Sequence, residues 1–355
     1  MGGRATGDLA AQARRAPGPA PGAAATSGDP RVQCPAAAAQ AGRQAHHAGG
    51  SGTLSAAAGG DVEPDGLREF QAHRPRLFAL AYRMLGSATE AEDAVQETYL
   101  RWAGADRSQI RTPEAWLTTA VVNLCRTWLV SARARRESYV GPWLPEPVPT
   151  AELGPLETVE LRESVSLALL TALERLNPLE RAVFVLHAAF GYPHREIAEM
   201  LDVSDSAAQQ AYHRATQRVR LGRNRFEVSA ERARALLERF LVAASTGDVA
   251  ALRSLLTADA TATADGGGVI NAARRPVEGA DRVARYLLGL FRRQVPGMVI
   301  GVEDANGAPA LVVRVAGAPM LVVGIDYTEH GIAAVRLVVN PAKLAAFGRL
   351  SPDSV

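Results

Sequence analysis

His194-Arg195-Glu196-Ile197-Ala198-Glu199-Met200-Leu201-Asp202-Val203-Ser204-Asp205 opens a stretch that runs on to Arg225 and decides how the middle of this chain folds. Ile197, Met200 and Leu201 fall at helical spacing, so one face of the first segment is apolar and must be covered. Asp202 to Ser204 is the right length for a tight turn, and Ser204 is placed to cap a second helix that starts at Asp205. That second helix carries Gln209, Gln210, His213, Arg214, Arg218 and Arg220. These side-chain types reach base edges and phosphates from a major groove. The stretch predicts a helix-turn-helix that reads DNA.

Bulk composition does not carry that reading. The chain has 355 residues, 47% of them hydrophobic, enough for two or three domains with real cores. Its net charge is only +2, so contact with nucleic acid must come from local clusters. Arg133, Arg135 and Arg136 form one cluster, and Arg214, Arg218, Arg220, Arg223 and Arg225 another, while Glu90, Glu92, Asp93 and Glu97 gather elsewhere. Segregated charge suits a protein that meets DNA with one face and a different partner with a second. Cys34 and Cys125 form neither a disulfide framework nor a zinc spacing, which predicts a reducing, cytoplasmic setting. No run approaches the ~20 apolar residues of a membrane span, and no secretory signal follows Arg4, Arg14 and Arg15. No metal or cofactor is expected.

Working outward, residues 1–62 are Ala, Gly, Pro, Ser and Gln with scattered Arg, and are expected to be a disordered tail without assigned function. Residues 63–138 predict helices: one over 67–85 interrupted early by Pro75, one from the capping box Ser87-Ala88-Thr89-Glu90 to about Trp102, and one opened by Thr112-Pro113-Glu114. The proline-rich run 139–157 is not helical and reads as a linker. Helices return at about Thr158 to Leu176 and, after Asn177-Pro178, at Arg181 to Phe190, so that 158–226 forms the DNA-reading domain. Residues 229–350 change character. Helical patterns at Ala230 to Ser245 and Val249 to Leu256 precede strands at Ala260 to Ala264, Met298 to Val302, Leu311 to Val315, Leu321 to Ile325 and Ile332 to Val339. A helix from Gly279 to Phe291 lies among them, and Asn306-Gly307 and Gly317 mark turns. This predicts an α+β domain with an antiparallel sheet curving over helices.

With these elements placed, residues 65–350 resemble an extracytoplasmic-function sigma factor, the interchangeable promoter-recognition subunit of bacterial RNA polymerase, of the subgroup with a fused C-terminal SnoaL-like (NTF2-like) domain. The resemblance implies a multidomain fold: two all-α sigma domains, region 2 and the region 4 helix-turn-helix, followed by the α+β domain. It rests on Glu90 to Leu100, which matches the region 2 helix that docks on the polymerase clamp and implies contacts by Glu92, Asp93, Gln96 and Glu97. Trp116 to Arg136 matches the part that melts and reads the minus-ten element, with Trp116, Asn123, Arg133, Arg135 and Arg136 toward DNA. Residues 165–225 match region 4, whose recognition helix reads the minus-thirty-five element, with Ser206, Gln209, Gln210, His213, Arg214 and Arg218 toward DNA. The subgroup's marks are Trp143-Leu144-Pro145-Glu146-Pro147 in the linker, Asp265-Gly266-Gly267-Gly268, and Asn340-Pro341-Ala342-Lys343-Leu344. These imply that the third domain contacts the sigma core and tunes it. Thr127 and Val130 stand where the family usually has Asp and Arg, Val269 where Lys is frequent and Ala342 where Asp is common, so contacts made by those side chains are expected to be weakened.

The plainer readings stand beside these. Trp116, among leucines at helical spacing, reads as core before it reads as a base-stacking surface. The arginine run 133–136 has few apolar partners and suits DNA better. Gln209, Gln210, His213 and Arg214 are the direct readers, and Arg218 and Arg220 the phosphate contacts. The acidic helix face reads as docking or solvated rather than catalytic. His187, in an apolar context, reads as a satisfied core histidine. An acid–base pocket on Asp265 or Asp326 is a minority reading of a fold that also hosts enzymes. Two alternatives follow: a ligand-responsive DNA-binding regulator that does not join polymerase, and a SnoaL-type cyclase or isomerase fused to a DNA-binding module. The expected partners are core RNA polymerase and promoter DNA, with no membrane, no required anti-sigma factor, and a small ligand in the third domain left open.

Overall fold

The computed structural model describes residues 65–153, 162, 164–220, 229–292 and 295–350. They belong to a single compact unit spanning residues 60–355. The tail 1–62, Cys34, Arg223 and Arg225 lie outside the described residues.

Three helices build region 2: α1 (Asp65–Leu85), α2 (Ala88–Ala103) and α3 (Pro113–Glu137). Helix α1 is not interrupted at Pro75. Proline removes one amide donor and pushes on the preceding turn, but Pro75 and Gln71, whose carbonyl it releases, both lie on the exposed side. The loose carbonyl is therefore on the solvent side, while Leu77, Leu80, Ala81 and Met84 stay buried on the other face. Ser87 caps α2 by accepting from the Glu90 amide at 3.1 Å. The return bond of the expected capping box is missing, because the Glu90 carboxylate turns to Arg135.

Region 4 comprises α4 (Leu167–Leu173), α5 (Pro178–Phe190), α6 (His194–Leu201) and α7 (Asp205–Arg220). Asn177 and Glu180 form a reciprocal capping box on α5, and Ser204 caps α7 by accepting from the Ala207 amide at 3.2 Å. Asp202 closes α6 in the left-handed region at φ 53°, tolerated there because a short polar side chain pays little for it. Regions 2 and 4 share one continuous hydrophobic core, which runs from Leu77, Val95 and Val121 into Leu170, Leu186, Ile197 and Ala211.

The third domain has helices α8 (Ala230–Thr246) and α9 (Val249–Leu255), strands β1 (Leu256–Asp265) and β2 (Val277–Glu278), and helix α10 (Ala280–Phe291). Strands β3 (Met298–Ala305), β4 (Ala308–Val315), β5 (Ala318–Thr328) and β6 (Gly331–Val338) and helix α11 (Pro341–Leu350) complete it. Its sheet runs β2-β1-β6-β5-β4-β3. The expected wholly antiparallel sheet needs one correction, since β1 pairs parallel with β6. The crossover that parallel pairing demands is supplied by everything between the two strands. Alternation along the strands serves two cores: Leu311, Val323 and Ile325 face α8 to α10, while Ala310, Val312 and Val322 face α11. Both sides are thus covered, which is why these strands read as continuous apolar runs. Leu144 of the linker belongs to the second core. This is an α+β architecture, one six-stranded sheet with helices on both faces.

Candidate functional site

Helix α7 buries Ala208, Ala211, Ala215 and Val219, small residues that let it lie close to the rest of region 4. The opposite face therefore collects Ser206, Gln209, Gln210, His213, Arg214 and Arg218, all exposed. Gln209 donates to Asp205 at 3.1 Å and Gln217 meets His213 at 2.9 Å, so both amides are pre-oriented on the open face. Arg214 differs from the free reader it was expected to be. Its Nε donates at 3.1 Å to Glu180, a carboxylate only 1% exposed that also holds Arg218. Both guanidiniums lean back on α5 and present their remaining N–H groups outward. His187 is satisfied as expected, with Nδ1 2.9 Å from the Tyr192 carbonyl and its ring stacked on His194 at 4.3 Å.

On α2, Asp93 and Gln96 are exposed, while Glu92 pairs with Arg74 at 2.6 Å and Glu97 with Arg101 at 3.1 Å. With Leu100 exposed beside them, this is a polar face with an apolar point. Trp102 is buried and donates from Nε1 to the Gly66 carbonyl at 2.7 Å, and Trp116 tilts against it at 5.6 Å. Trp116 is half-buried: packed on the core, yet also lining a groove of about 1040 Å³ with Arg111, Asn123, Glu199 and Met200. Across this groove the Asn123 amide donates to the Met200 carbonyl at 3.0 Å, and Arg126 donates to Leu201 at 3.2 Å. The last carbonyls of α6 lack helical partners and carry the negative end of its dipole, so they accept these donors well. Asn123 and the helix-turn-helix thus cover one another. Arg126 was not found from sequence, where nothing local marks it.

The arginine run divides. Arg135 is 61% exposed and paired with Glu90. Arg136 is corrected from a DNA contact to a junction residue: its guanidinium stacks 3.8 Å from the Trp143 ring centroid, donates to the Leu85 carbonyl at 2.8 Å and pairs with Glu174. The Arg133 side chain lies outside the described residues.

The linker is likewise no free tether. Leu144, Pro145, Glu146, Pro147, Val148 and Pro149 are all buried. Glu146 accepts from the Ser87 hydroxyl at 2.7 Å and the Thr89 amide at 3.1 Å, taking the place at the start of α2 that Glu90 was expected to fill. The three subgroup motifs converge on Asp265, which is fully buried. Its Oδ1 accepts from the Tyr139 hydroxyl at 2.6 Å and the Gly267 amide at 3.1 Å; its Oδ2 accepts from the Leu144 amide at 2.8 Å and Lys343 Nζ at 2.7 Å. Lys343 also donates to the Leu144 carbonyl and lies 4.0 Å from the Trp143 ring centroid. Asn340 donates to Tyr139 at 2.8 Å. Burial pulls the Lys343 ammonium down to about 8, partly opposed by Asp265. Gly266 closes the glycine turn, its carbonyl accepting from the Val269 amide at 3.1 Å and the Ile270 amide at 3.0 Å, and Pro341 opens α11. Val269 and Ala342 point to solvent, so the departures from the subgroup pattern leave this clasp intact. Tyr139, a central member, was missed because no motif contains it.

Asp265 is thus consumed structurally, and Asp326 is paired with Arg336. Neither is presented as an acid or base to a cavity. No helix among the described residues is long and apolar enough to cross a membrane.

Residues 70–135 match the Sigma-70 region 2 family and residues 166–219 the Sigma-70 region 4 family. The chain is 42% identical over 292 residues to the ECF RNA polymerase sigma factor SigJ of Mycobacterium tuberculosis, covering 81% of this chain and 92% of that one. It is 32% identical over 278 residues to the probable ECF sigma factor SigI of the same organism, covering 78% and 93%. A crystal structure of M. tuberculosis SigJ superposes with a TM-score of 0.64 at 35% identity, covering 79% of this chain and 98% of that chain. Paired region 2 and region 4 domains define a sigma factor, a protein that directs promoter-specific transcription initiation. The chain belongs to the extracytoplasmic-function RNA polymerase sigma factors.

Proposed function

We propose that the free chain is a self-masked sigma factor whose third domain holds regions 2 and 4 closed until core RNA polymerase takes them apart. One observation carries the reading: Asn123 and Arg126 of region 2 spend their donors on the carboxyl end of α6, so the surface expected to read one promoter element is shared with the domain that reads the other. Two elements cannot be gripped while their readers grip each other. Glu92, Asp93, Gln96 and Glu97 dock on polymerase. Ser206, Gln209, Gln210 and His213 read bases, with Arg214 and Arg218 on phosphates. The clasp of Trp143 to Pro147 with Asp265, Asn340 and Lys343 sets how readily the chain opens. In this reading no separate anti-sigma factor is required, and the third domain regulates rather than catalyses.

Reconstitution with core polymerase tests it. Full-length chain gives promoter-specific run-off transcripts, and Asp265→Asn raises the chain's affinity for promoter DNA in the absence of polymerase. Equal promoter affinity for folded Asp265→Asn and wild type overturns the masking.

A further inference from the structure

The β3–β4 turn sits where a hairpin tip is not expected. Asn306 and Gly307 form a two-residue turn with φ values of 53° and 77°, the geometry that Asn-Gly favours. Such tips normally lie in water, yet Asn306 is 3% exposed. Its side-chain amide is fully used, and each bond goes to a different part of the chain. Nδ2 donates to the Tyr82 hydroxyl of α1 at 2.6 Å and to the Val165 carbonyl at 2.8 Å, and Oδ1 accepts from the Val148 amide of the linker at 3.0 Å. The Asn306 amide returns a bond to the Val148 carbonyl at 3.0 Å. Tyr82 in turn donates to the Glu146 carbonyl at 2.7 Å.

Val165 lies two residues before α4, next to its cap Ser166, where region 4 begins. Beside it, Gly307 passes so close to Arg162 that a Cβ would stand 2.9 Å from the Arg162 carbonyl oxygen, and a Cβ on Gly324 of β5 would stand 2.8 Å from Leu167. The start of region 4 therefore rests on the third domain at two places. Asn306 joins that start both to region 2 and to the linker, beside a separate bond from Arg83 of α1 to the Ser164 hydroxyl at 3.0 Å.

We propose that Asn306 is a positioning residue, a latch that holds the start of region 4 against region 2 and must release before the two can separate. This rests on the self-masked reading above but concerns a different contact, at Val148, just beyond the Trp143 to Pro147 stretch that meets the Asp265 clasp. Buried amide bonds of this kind are costly to leave unmade, so the latch is either fully seated or withdrawn.

The test is energy transfer between dyes on Ser108→Cys in region 2 and Gln217→Cys in region 4, in full-length chain carrying Cys34→Ser. Asn306→Gly keeps the left-handed turn and removes only the amide. Tyr82→Phe removes one of its acceptors with the ring retained. Loss of these bonds should raise the low-transfer population about tenfold in Asn306→Gly and less in Tyr82→Phe. A folded Asn306→Gly with unchanged transfer overturns the latch; should that variant not fold, unchanged transfer in Tyr82→Phe does so. Asp265→Asn run alongside separates the two ideas: opening there without opening in Asn306→Gly removes the latch and leaves the masking. Low transfer already dominant in the wild-type chain removes both.

Discussion

Lys343 Nζ lies 2.7 Å from Asp265 Oδ2, with side chains 7% and 0% exposed, and between them they hold both polar groups of the Leu144 peptide. Removing one partner of such a pair strands the other charge in a low dielectric, which costs about 3–5 kcal/mol. Asp265→Asn and Lys343→Met should each lower stability by that order in denaturant unfolding, and should expose the linker to proteolysis. The double variant Asp265→Leu/Lys343→Met strands no charge and should recover part of the loss. Single variants with wild-type midpoints would show that the pair holds nothing.

The same lysine gives a pH dependence. In the closed clasp its pKa is about 8, held down by burial, against the lysine value of 10.5. Once opened to water it returns toward that value, so between the two the open form binds a proton that the closed form has released. Closing releases protons, and raising the pH from about 7 to 9 favours the closed form, while below that window both forms are protonated and the balance is flat. Arg136, pushed down to about 9 by burial and by Arg181, adds with the same sign. Tyr139, raised by burial and by Asp265, titrates above the window. Protease resistance of the linker should rise with pH in the wild type and lose most of that slope in Lys343→Met. A fall with pH in the wild type would contradict this.

Glu180 divides the recognition helix into two kinds of residue. It accepts from the Asn177 amide at 3.2 Å and holds Arg214 and Arg218, each 47% exposed, on α5. Because both arginines are half in water, Glu180→Ala should cost about 1–3 kcal/mol rather than the full price of a buried pair. Arg214→Ala should lose both stability and DNA affinity. Gln209→Ala and Gln210→Ala should leave the unfolding midpoint alone and weaken promoter binding by about 1–3 kcal/mol each. Denaturation and DNA binding at fixed salt check all four; a midpoint shift in the glutamine variants would show that those side chains also support the fold.

What could be read from the sequence was local. The helix start at Asn177-Pro178, the Ser204 cap and the Asn306-Gly307 turn are written within three residues of themselves, and each is present. The parts that were misread depend on a distant partner. Glu90 has the spacing of a capping box but is diverted to Arg135, and Glu146, from the linker, takes over the start of α2. Arg136 belongs to a basic run that suits DNA until Trp143 and Glu174 claim it. No periodicity announces that Arg126 will find the Leu201 carbonyl, or that a hairpin tip will reach Tyr82. The linker, glycine and Asn-Pro motifs were visible as motifs, while the chemistry joining them runs through Tyr139, which none contains.

The glycine motif after Asp265 is a last place where a small change should have a large, specific effect. Gly267 has φ 61°, a conformation that costs an L-residue about 1–2 kcal/mol, and a Cβ there would collide with the Asn340 side-chain amide. That amide holds Tyr139, which in turn holds Asp265. Gly317 has φ 81° in the β4–β5 turn with nothing within 4 Å of its Cβ position. Gly317→Ala should therefore show the backbone cost alone. Gly267→Ala should show that cost plus a displaced Asn340, destabilising the chain by about 2 kcal/mol more and loosening the linker to protease. Equal unfolding midpoints for the two variants would mean that Asn340 moves aside freely and that Asp265 does not need it.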